Sequence, residues 1–492
     1  MILYRVLRRL LPYGMAGASL FVLTGCMVGP NYKRPLAPVP TNYKVDAVTP
    51  PPNPPSGGWK QAIPDAHENI RPEWWKLYED EELNTLEAKV AVSNQTLKAA
   101  YQAYVRSRQQ VKVDRSSLFP TLGMGVTGSR QHVSMNRPFV FPGVKNIYSD
   151  MSLDGQVSWE PDLWGAIRRT VESSSALSQA TSADLANASL SLQSELAVDY
   201  FQLRGLDTQQ QLLDDTVSAY RKSVELTSMR LHAGLSSDSD LSLAQTQLDQ
   251  TIAQATDIGV ARAQYEDAIA TLIGVPASSF TLRPAPLRLV LPPIPTGLPS
   301  DLLERRPDIA AAERRIDAAN AEIGVAQAAF YPSLNLNGAG GFESVNIGTW
   351  IQGPSALWAL GASATETLFD AGRRRAVKAQ AIASYEQGTA NYRETILQAF
   401  QEVEDNLAAA QILKREAGQQ ASAVADAQHS LDLSTNLYKS GLINYLQVIT
   451  VQATLLANQR TSVDIATRQA TASVQLFKAL GGGWDATKLP KP

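Results

Sequence analysis

Residues 185–235 read LANASLSLQSELAVDYFQLRGLDTQQQLLDDTVSAYRKSVELTSMRLHAGL, and this stretch decides the fold. Leu185, Leu192, Leu206 and Leu213 stand seven residues apart or at a multiple of seven. A second series, Leu196, Leu203, Val217, Val224 and Leu231, is offset from the first by four. Two interleaved series of this kind make the a/d seam of a coiled coil. The proline-free run around them covers 163–275. A helix over 167–232 would be ~100 Å long at a rise of ~1.5 Å per residue. The chain then turns at Gly234 and returns over about 237–273, a further ~55 Å. A globular domain has little use for such reach. A plain coiled-coil rod would carry the same seam, so the rest of the chain has to separate the two.

A weaker copy of the pattern follows. Leu231-His232-Ala233-Gly234-Leu235 corresponds to Tyr438-Lys439-Ser440-Gly441-Leu442. At the same offset Gln245 falls on Gln452, Leu248 on Leu455 and Ile273-Gly274 on Leu480-Gly481. Phe119-Pro120 matches Tyr331-Pro332, and Leu163-Trp164 matches Leu368-Phe369. A second proline-free run covers about 373–480, where Ile396, Val403, Ala410, Ala417, Val424 and Leu431 step by seven. A repeat constrains the fold before any local reading does. Each half is expected to supply a short helix (about 82–116 and 308–330), a hairpin, a long helix, a turn and a return helix (about 237–273 and 443–480).

The hairpins carry the functional signal. After Pro120, Leu122, Met124 and Val126 alternate with Thr121, Gly123, Gly125 and Thr127. Before Pro161, Met151, Leu153, Val157 and Trp159 alternate with Ser152, Asp154, Gln156 and Ser158. Leu334 and Leu336, then Trp358, Leu360, Ala362 and Ala364, repeat the rhythm in the second half. Period two with one apolar face fits strands of about ten residues, the length of a tilted membrane strand. Phe119, Trp159, Tyr331 and Trp358 lie near their ends, as interfacial aromatics do. A half-buried soluble sheet alternates in the same way. In lipid, however, four strands cannot close, and an open edge leaves backbone groups unpaired. Single-chain barrels need about eight strands. Membrane strands here therefore imply several copies around one barrel, with three copies giving twelve strands.

Residues 1–26 read as a secretory signal: Arg5, Arg8 and Arg9 precede an apolar core over 10–22 that is too short to span a bilayer. The core ends Leu23-Thr24-Gly25-Cys26, which looks like a bacterial lipobox. Cys26 is the one cysteine of the chain, so neither a disulfide framework nor a cysteine zinc site is available. Fatty acyl chains on Cys26, palmitate among them, would anchor the mature protein, and Met27 in place of aspartate favours the outer membrane. Proline-rich 30–64 is expected to be an extended tether without a packed core. A net charge of −3 and a pI of about 5.9 give no basic face for nucleic acid.

These residues resemble the outer membrane factor family, the TolC-like channels, and within it the OprM/NodT lipoprotein branch. Cys26-Met27-Val28-Gly29-Pro30-Asn31-Tyr32-Lys33-Arg34-Pro35 is similar to that branch's sequence after the lipobox. Trp74-Trp75 with Leu83 and Leu86 resembles its first-helix motif. Gly297-Leu298-Pro299-Ser300-Asp301-Leu302-Leu303 and Arg305-Arg306-Pro307-Asp308-Ile309 resemble its mid-chain signature. The resemblance implies a mainly α fold with transmembrane β: a trimeric 12-stranded β-barrel continued by a long 12-helix periplasmic α-barrel, duplicated inside each protomer. Its organisation would be a signal peptide (1–25), a lipidated tether (26–72), a first repeat (73–274), an equatorial linker (275–307), a second repeat (308–481) and a tail (482–492). It further implies a homotrimer that docks with a periplasmic adaptor and an inner membrane transporter of the resistance-nodulation-division type, to export drugs or other small molecules.

By the same resemblance the helix turns at the tunnel's far end meet the adaptor: here Arg230, Leu231, Gly234 and Leu235, and Tyr438, Gly441 and Leu442. Plain C-capping by the two glycines accounts for the same residues. The family's periplasmic gate falls on Leu446, Gln447 and Thr450. Many relatives carry aspartate at the second or third of these places, and this chain carries none, which leaves the ring uncharged.

Catalytic readings have little support. His67, His132, His232 and His429 lack ligand spacing, so no metal or cofactor is implied. Glu160 and Asp162 sit where strand passes into helix and read as N-terminal charges. Gly481-Gly482-Gly483 lacks the lysine of a phosphate loop and reads as a helix stop. Arg168-Arg169 and Arg373-Arg374-Arg375 open helices against the dipole and call for lipid phosphates, acidic neighbours or solvent. The function that follows is a non-enzymatic exit duct. Its rivals are the duct of a type I protein-secretion system and a structural coiled-coil lipoprotein without a pore.

Overall fold

The computed structural model describes residues 27–37, 39–40, 43–44, 73–136, 145–293 and 302–490. A 3-10 turn (Trp74–Tyr78) leads into α1 (Glu81–Ser93) and α2 (Gln95–Ser116), then a hairpin of β1 (Thr121–His132) and β2 (Ile147–Trp159). The long α3 (Ala166–His232) and its return α4 (Asp238–Leu272) complete the first half. The second half runs from a single turn (Leu302–Arg305) through α5 (Pro307–Ala328), β3 (Ser333–Ser344), β4 (Ala356–Thr365) and α6 (Arg373–Lys439) to α7 (Tyr445–Ala479).

The duplication is borne out, to the residue in three pairs of helices. α3 and α6 each have 67 residues, α4 and α7 each 35, and α2 and α5 each 22. Where each return helix ends, the same bonds recur on different side chains. Asn94 Nδ2 donates to the Leu272 carbonyl at 2.8 Å, and Arg306 Nη1 donates to the Ala479 carbonyl at 3.1 Å. Gly274 and Gly481, both at positive φ, lie against the carbonyls of Ser93 and Arg305. One expected helix, 82–116, is in fact two. Asn94 is extended at ψ 126, and its side chain caps α2 through the Leu97 amide instead of continuing α1.

The seam packs as its period requires: Leu196, Leu203, Leu213 and Val217 are buried. Around the middle of the long helices each half has a core. In the first, Trp74 stacks on Phe477 at 5.6 Å, and the Tyr78 hydroxyl shares a hydrogen bond with Ser473 at 2.8 Å. In the second, Ile309, Ile316, Tyr392 and Ile396 close around Leu476. α7 thus feeds adjacent side chains to both cores. A buried ion network, Arg204–Asp207 at 3.1 Å and Arg262–Asp207 at 2.7 Å, ties α3 to α4. It also fixes the linker after α4, because Arg204 and Arg262 donate to the carbonyls of Arg283 and Leu282.

The four strands form one antiparallel sheet in the order β1-β2-β3-β4. The register puts Leu122, Met124 and Val126 opposite Val157, Gly155 and Leu153, and Phe342 opposite both Leu153 and Ala356. One face is therefore apolar from edge to edge, yet Leu122, Met124, Trp358 and Leu360 are about 80% exposed in the single chain. Below the sheet the helices lie side by side as α2–α3–α5–α6, and lower down as α4–α3–α7–α6. Both the sheet and the helical layer have open edges.

The segment expected to be an extended tether without a packed core of its own lies against the helices where it is described. The Val28 amide donates to the Trp164 carbonyl at 3.1 Å, directly below β2. Fully buried Arg169 donates to the carbonyls of Val28 and Gly29 and to Asn31, and pairs with Glu172 at 2.8 Å. Further along, Arg34 reaches Tyr392 and Tyr43 is buried in the second core. A buried guanidinium needs acceptors, and the backbone of 28–29 supplies them. Arg168 and Arg374 find acidic neighbours instead: Asp162 at 3.0 Å and Asp370 at 2.7 Å. Asp162 also accepts from the amides of Ile167 and Arg168, the N-terminal role read from sequence. Cys26 and residues 45–72 lie outside the described residues.

Candidate gate and docking turns

The two long hairpins end in matching turns. After α3, Gly234 takes φ 72, its amide donates to Leu231 and the Leu235 amide donates to Arg230 at 2.8 Å. After α6, Gly441 takes φ 75, its amide donates to Tyr438 and the Leu442 amide donates to Leu437 at 3.0 Å. Each is a Schellman closure, which needs a left-handed residue that glycine supplies without strain. Ser237 and Asp240 form a reciprocal capping box on α4, and Asn444 caps α7 through the Gln447 amide at 3.2 Å. These local bonds aim Leu235 and Leu442 outward, 66% and 72% exposed. Two bare leucines at the tips of rigid hairpins are apolar contact points.

The docking residues read from sequence do not all face out. Tyr438 is buried, and the Arg230 guanidinium stands over its ring at 4.8 Å while donating to the Lys439 carbonyl at 3.2 Å. Arg230 and Tyr438 thereby join one hairpin to the other. Tyr445 packs on Tyr438 at 5.2 Å, and burial pushes its hydroxyl up to about 12. Burial works to raise the Asp240 carboxyl, but donors from Ser237 and Ser236 and the charge of Arg230 outweigh it and leave it lowered. The sequence signal for this link was an aromatic at the last turn of α6 and the first of α7. Their spacing showed no reason to meet.

Leu446, Gln447 and Thr450 form one exposed stripe on the first turns of α7, opposite buried Tyr445 and Val448. The Thr450 hydroxyl is turned back to the Leu446 carbonyl at 2.9 Å, so the stripe offers a branched aliphatic group, a carboxamide and a methyl group. Among the described residues no cluster of histidine, cysteine or acidic side chains could hold a metal ion. No helix of the described residues is long and apolar enough to cross a membrane.

The chain matches the family model described as "Outer membrane efflux protein" over residues 88–275 and 298–482. It is 31% identical over 470 residues to a "Probable efflux pump outer membrane protein TtgC" of Pseudomonas putida, covering 95% of this chain and 94% of that one. It is 30% identical over 477 residues to "Outer membrane protein OprJ" of Pseudomonas aeruginosa, covering 95% of each. Among solved structures, the Campylobacter jejuni CmeC outer membrane channel has a similar fold, with a TM-score of 0.86 at 24% identity over 94% of this chain and 96% of that one. The open-state MtrE outer membrane channel of Neisseria gonorrhoeae follows at 0.79 and 25%, over 94% and 99%. A family model matched on both halves, and relatives of this identity along nearly the whole chain, place the protein in the outer membrane efflux protein family.

Proposed function

We propose that three copies of this chain form a closed duct through which an inner membrane transporter, coupled by a periplasmic adaptor, expels small apolar or antibiotic-like molecules. One observation carries the reading: a four-stranded sheet with an apolar band running from edge to edge across one face, whose outer edges β1 and β4 have no strand partner among the described residues. Exposed apolar residues on such a face fit lipid, and lipid tolerates no open edge. Three sheets make a barrel of twelve strands, and the open flanks α2 with α4, and α6, meet at the same joints. The relatives' printed names, efflux of toluene, solvents or antibiotics, support the substrate class. A transporter of the resistance-nodulation-division type is the partner the sequence resemblance favours.

Within this duct, Leu446, Gln447 and Thr450 are the narrow ring, and the Leu235 and Leu442 tips are the adaptor's seat. Cys26 carries the acyl anchor; the Val28 bond to Trp164, directly below β2, supports a position level with the membrane surface. The test is the mass and conductance of the full-length lipidated protein. A trimer in mild detergent that carries single-channel current in planar bilayers is expected. A monomer without current overturns the reading.

A further inference from the structure

The four strands sort their charges by face. Four formally charged residues stand in them: Arg130 in β1, Asp150 and Asp154 in β2, and Glu343 in β3. The register sets Asp154 opposite Gly125 and Asp150 opposite Ser129, on the face away from Leu122, Met124 and Val126. Glu343, opposite Ser152, lies on that same polar face. Arg130 points the other way. It follows Val126 and Gly128 along the apolar face, where every second residue falls, and stands opposite Ser149 of β2. The sheet's one arginine thus shares a face with the apolar band, and no strand acid stands there with it.

Nothing among the described residues neutralises it. Arg130 is exposed, and no ion pair or side-chain hydrogen bond to a described residue holds its guanidinium. In a closed ring the neighbour beside β1 is β4, and residues 345–365, which hold β4 and the loop before it, carry no acid. A Cβ built on Gly128 meets no atom, so an open notch lies between Val126 and the arginine. The height is that of a headgroup. From Phe119 to Arg130 the strand climbs ~29 Å, at ~3.4 Å per residue and a tilt of ~40°, past an apolar band ~25 Å tall. An arginine facing lipid is tolerated at this height and costly below it.

We propose that Arg130 and Ser149 seat the phosphate of an anionic glycolipid of the outer leaflet, one at each joint between β1 and the next copy's β4. The lipid's acyl chains would lie down the notch against Val126 and Met124. The inference rests on the closed barrel proposed above. A planar guanidinium forks onto two phosphate oxygens. The Ser149 hydroxyl donates to a third, since directly opposed residues have Cβ atoms only ~5 Å apart. A phosphate monoester, as on lipid A, carries ~1.5–2 negative charges and brings no amine of its own. A zwitterionic lipid carries its own cation beside the phosphate, and free phosphate gains nothing from the apolar band.

Native mass spectrometry of the full-length lipidated protein in mild detergent tests this, with lipid A and phosphatidylcholine offered together at equal concentration. Trimers should retain lipid A over phosphatidylcholine by roughly tenfold, the lower range for a hydrogen bond to a charged group. Raising ammonium acetate from about 0.1 to 1 M should shrink that preference, and inorganic phosphate should not displace the lipid. Arg130→Gln should lower lipid A retention to that of phosphatidylcholine, with trimer mass and conductance as in the parent. Arg130→Lys should keep part of the preference. Equal retention of the two lipids, or a preference untouched by Arg130→Gln or by salt, overturns the site and leaves the channel reading standing. Displacement by inorganic phosphate would show a simple anion site and overturn the lipid assignment. A monomer in the same spectra would instead overturn the closed barrel, and this inference with it.

Discussion

Gly234 and Gly481 share a left-handed φ but not a neighbourhood. A Cβ added to Gly234 meets nothing, whereas one added to Gly481 runs into the Arg305 carbonyl. Gly234→Ala should therefore cost only the left-handed penalty, ~1–2 kcal/mol, and Gly481→Ala distinctly more, because backbone must move. Urea denaturation of the two variants should rank them so; equal losses would mean that the end of α7 yields freely. Arg169 is a second residue whose cost is set by its surroundings. Arg169→Ala removes the charged donor to the Val28 and Gly29 carbonyls and to Asn31, and a hydrogen bond to a charged group is worth ~1.5–3 kcal/mol. The Lys33–Arg34 bond should then be cut by trypsin several-fold faster than in the parent protein. An unchanged cleavage rate would show that residues 27–34 hold without the arginine.

At the scale of elements, the first turns of α7 decide what the proposed narrow ring would present. Tyr445 and Val448 face inward to the opposing hairpin, which leaves Leu446, Gln447 and Thr450 as the outward stripe. Leu446→Ala should raise leak current in planar bilayers, since it removes about three methylene-equivalents from each copy without touching the Tyr438–Tyr445 contact. Thr450→Asp should shift the current toward cations, through a fixed negative charge near the axis. If both variants conduct as the parent does, the ring lies elsewhere. The stripe itself was legible from sequence through family resemblance. The Arg230–Tyr438 contact was not, because residues two hundred positions apart meet only after both hairpins are built.

For the whole molecule, the duplication turns one contact inside the chain into a forecast of a contact between chains. Leu190 of α3 packs on Gly482, just past α7, across the junction of the two halves. The counterparts 207 positions away, counted from the starts of α3 and α6 and of α4 and α7, are Leu397 and Val275. Leu397 is half exposed on open-edged α6, and Val275 follows α4 on the opposite flank. In a ring of three, Leu397 of one copy should lie on Val275 of the next. The double variant Leu397→Cys with Val275→Cys, treated with a short bis-maleimide, should give covalent trimers on denaturing gels, and each single variant should not. Monomers alone would place the flanks in another register.

What the sequence determined by itself is periodic. Heptads fixed the long helices, alternation fixed the strands and their apolar face, and repeated glycines fixed the turns, because each depends on neighbours a few residues away. The tertiary structure alone decided where an isolated charge ends up. Arg168 and Arg169 read alike from sequence, as charges calling for lipid phosphates, acidic neighbours or solvent, yet Arg169 is closed in by backbone from residues 28–29 while Arg168 pairs with Asp162. A side chain's electrostatic fate depends on what distant segments bring to it, and no local period encodes that.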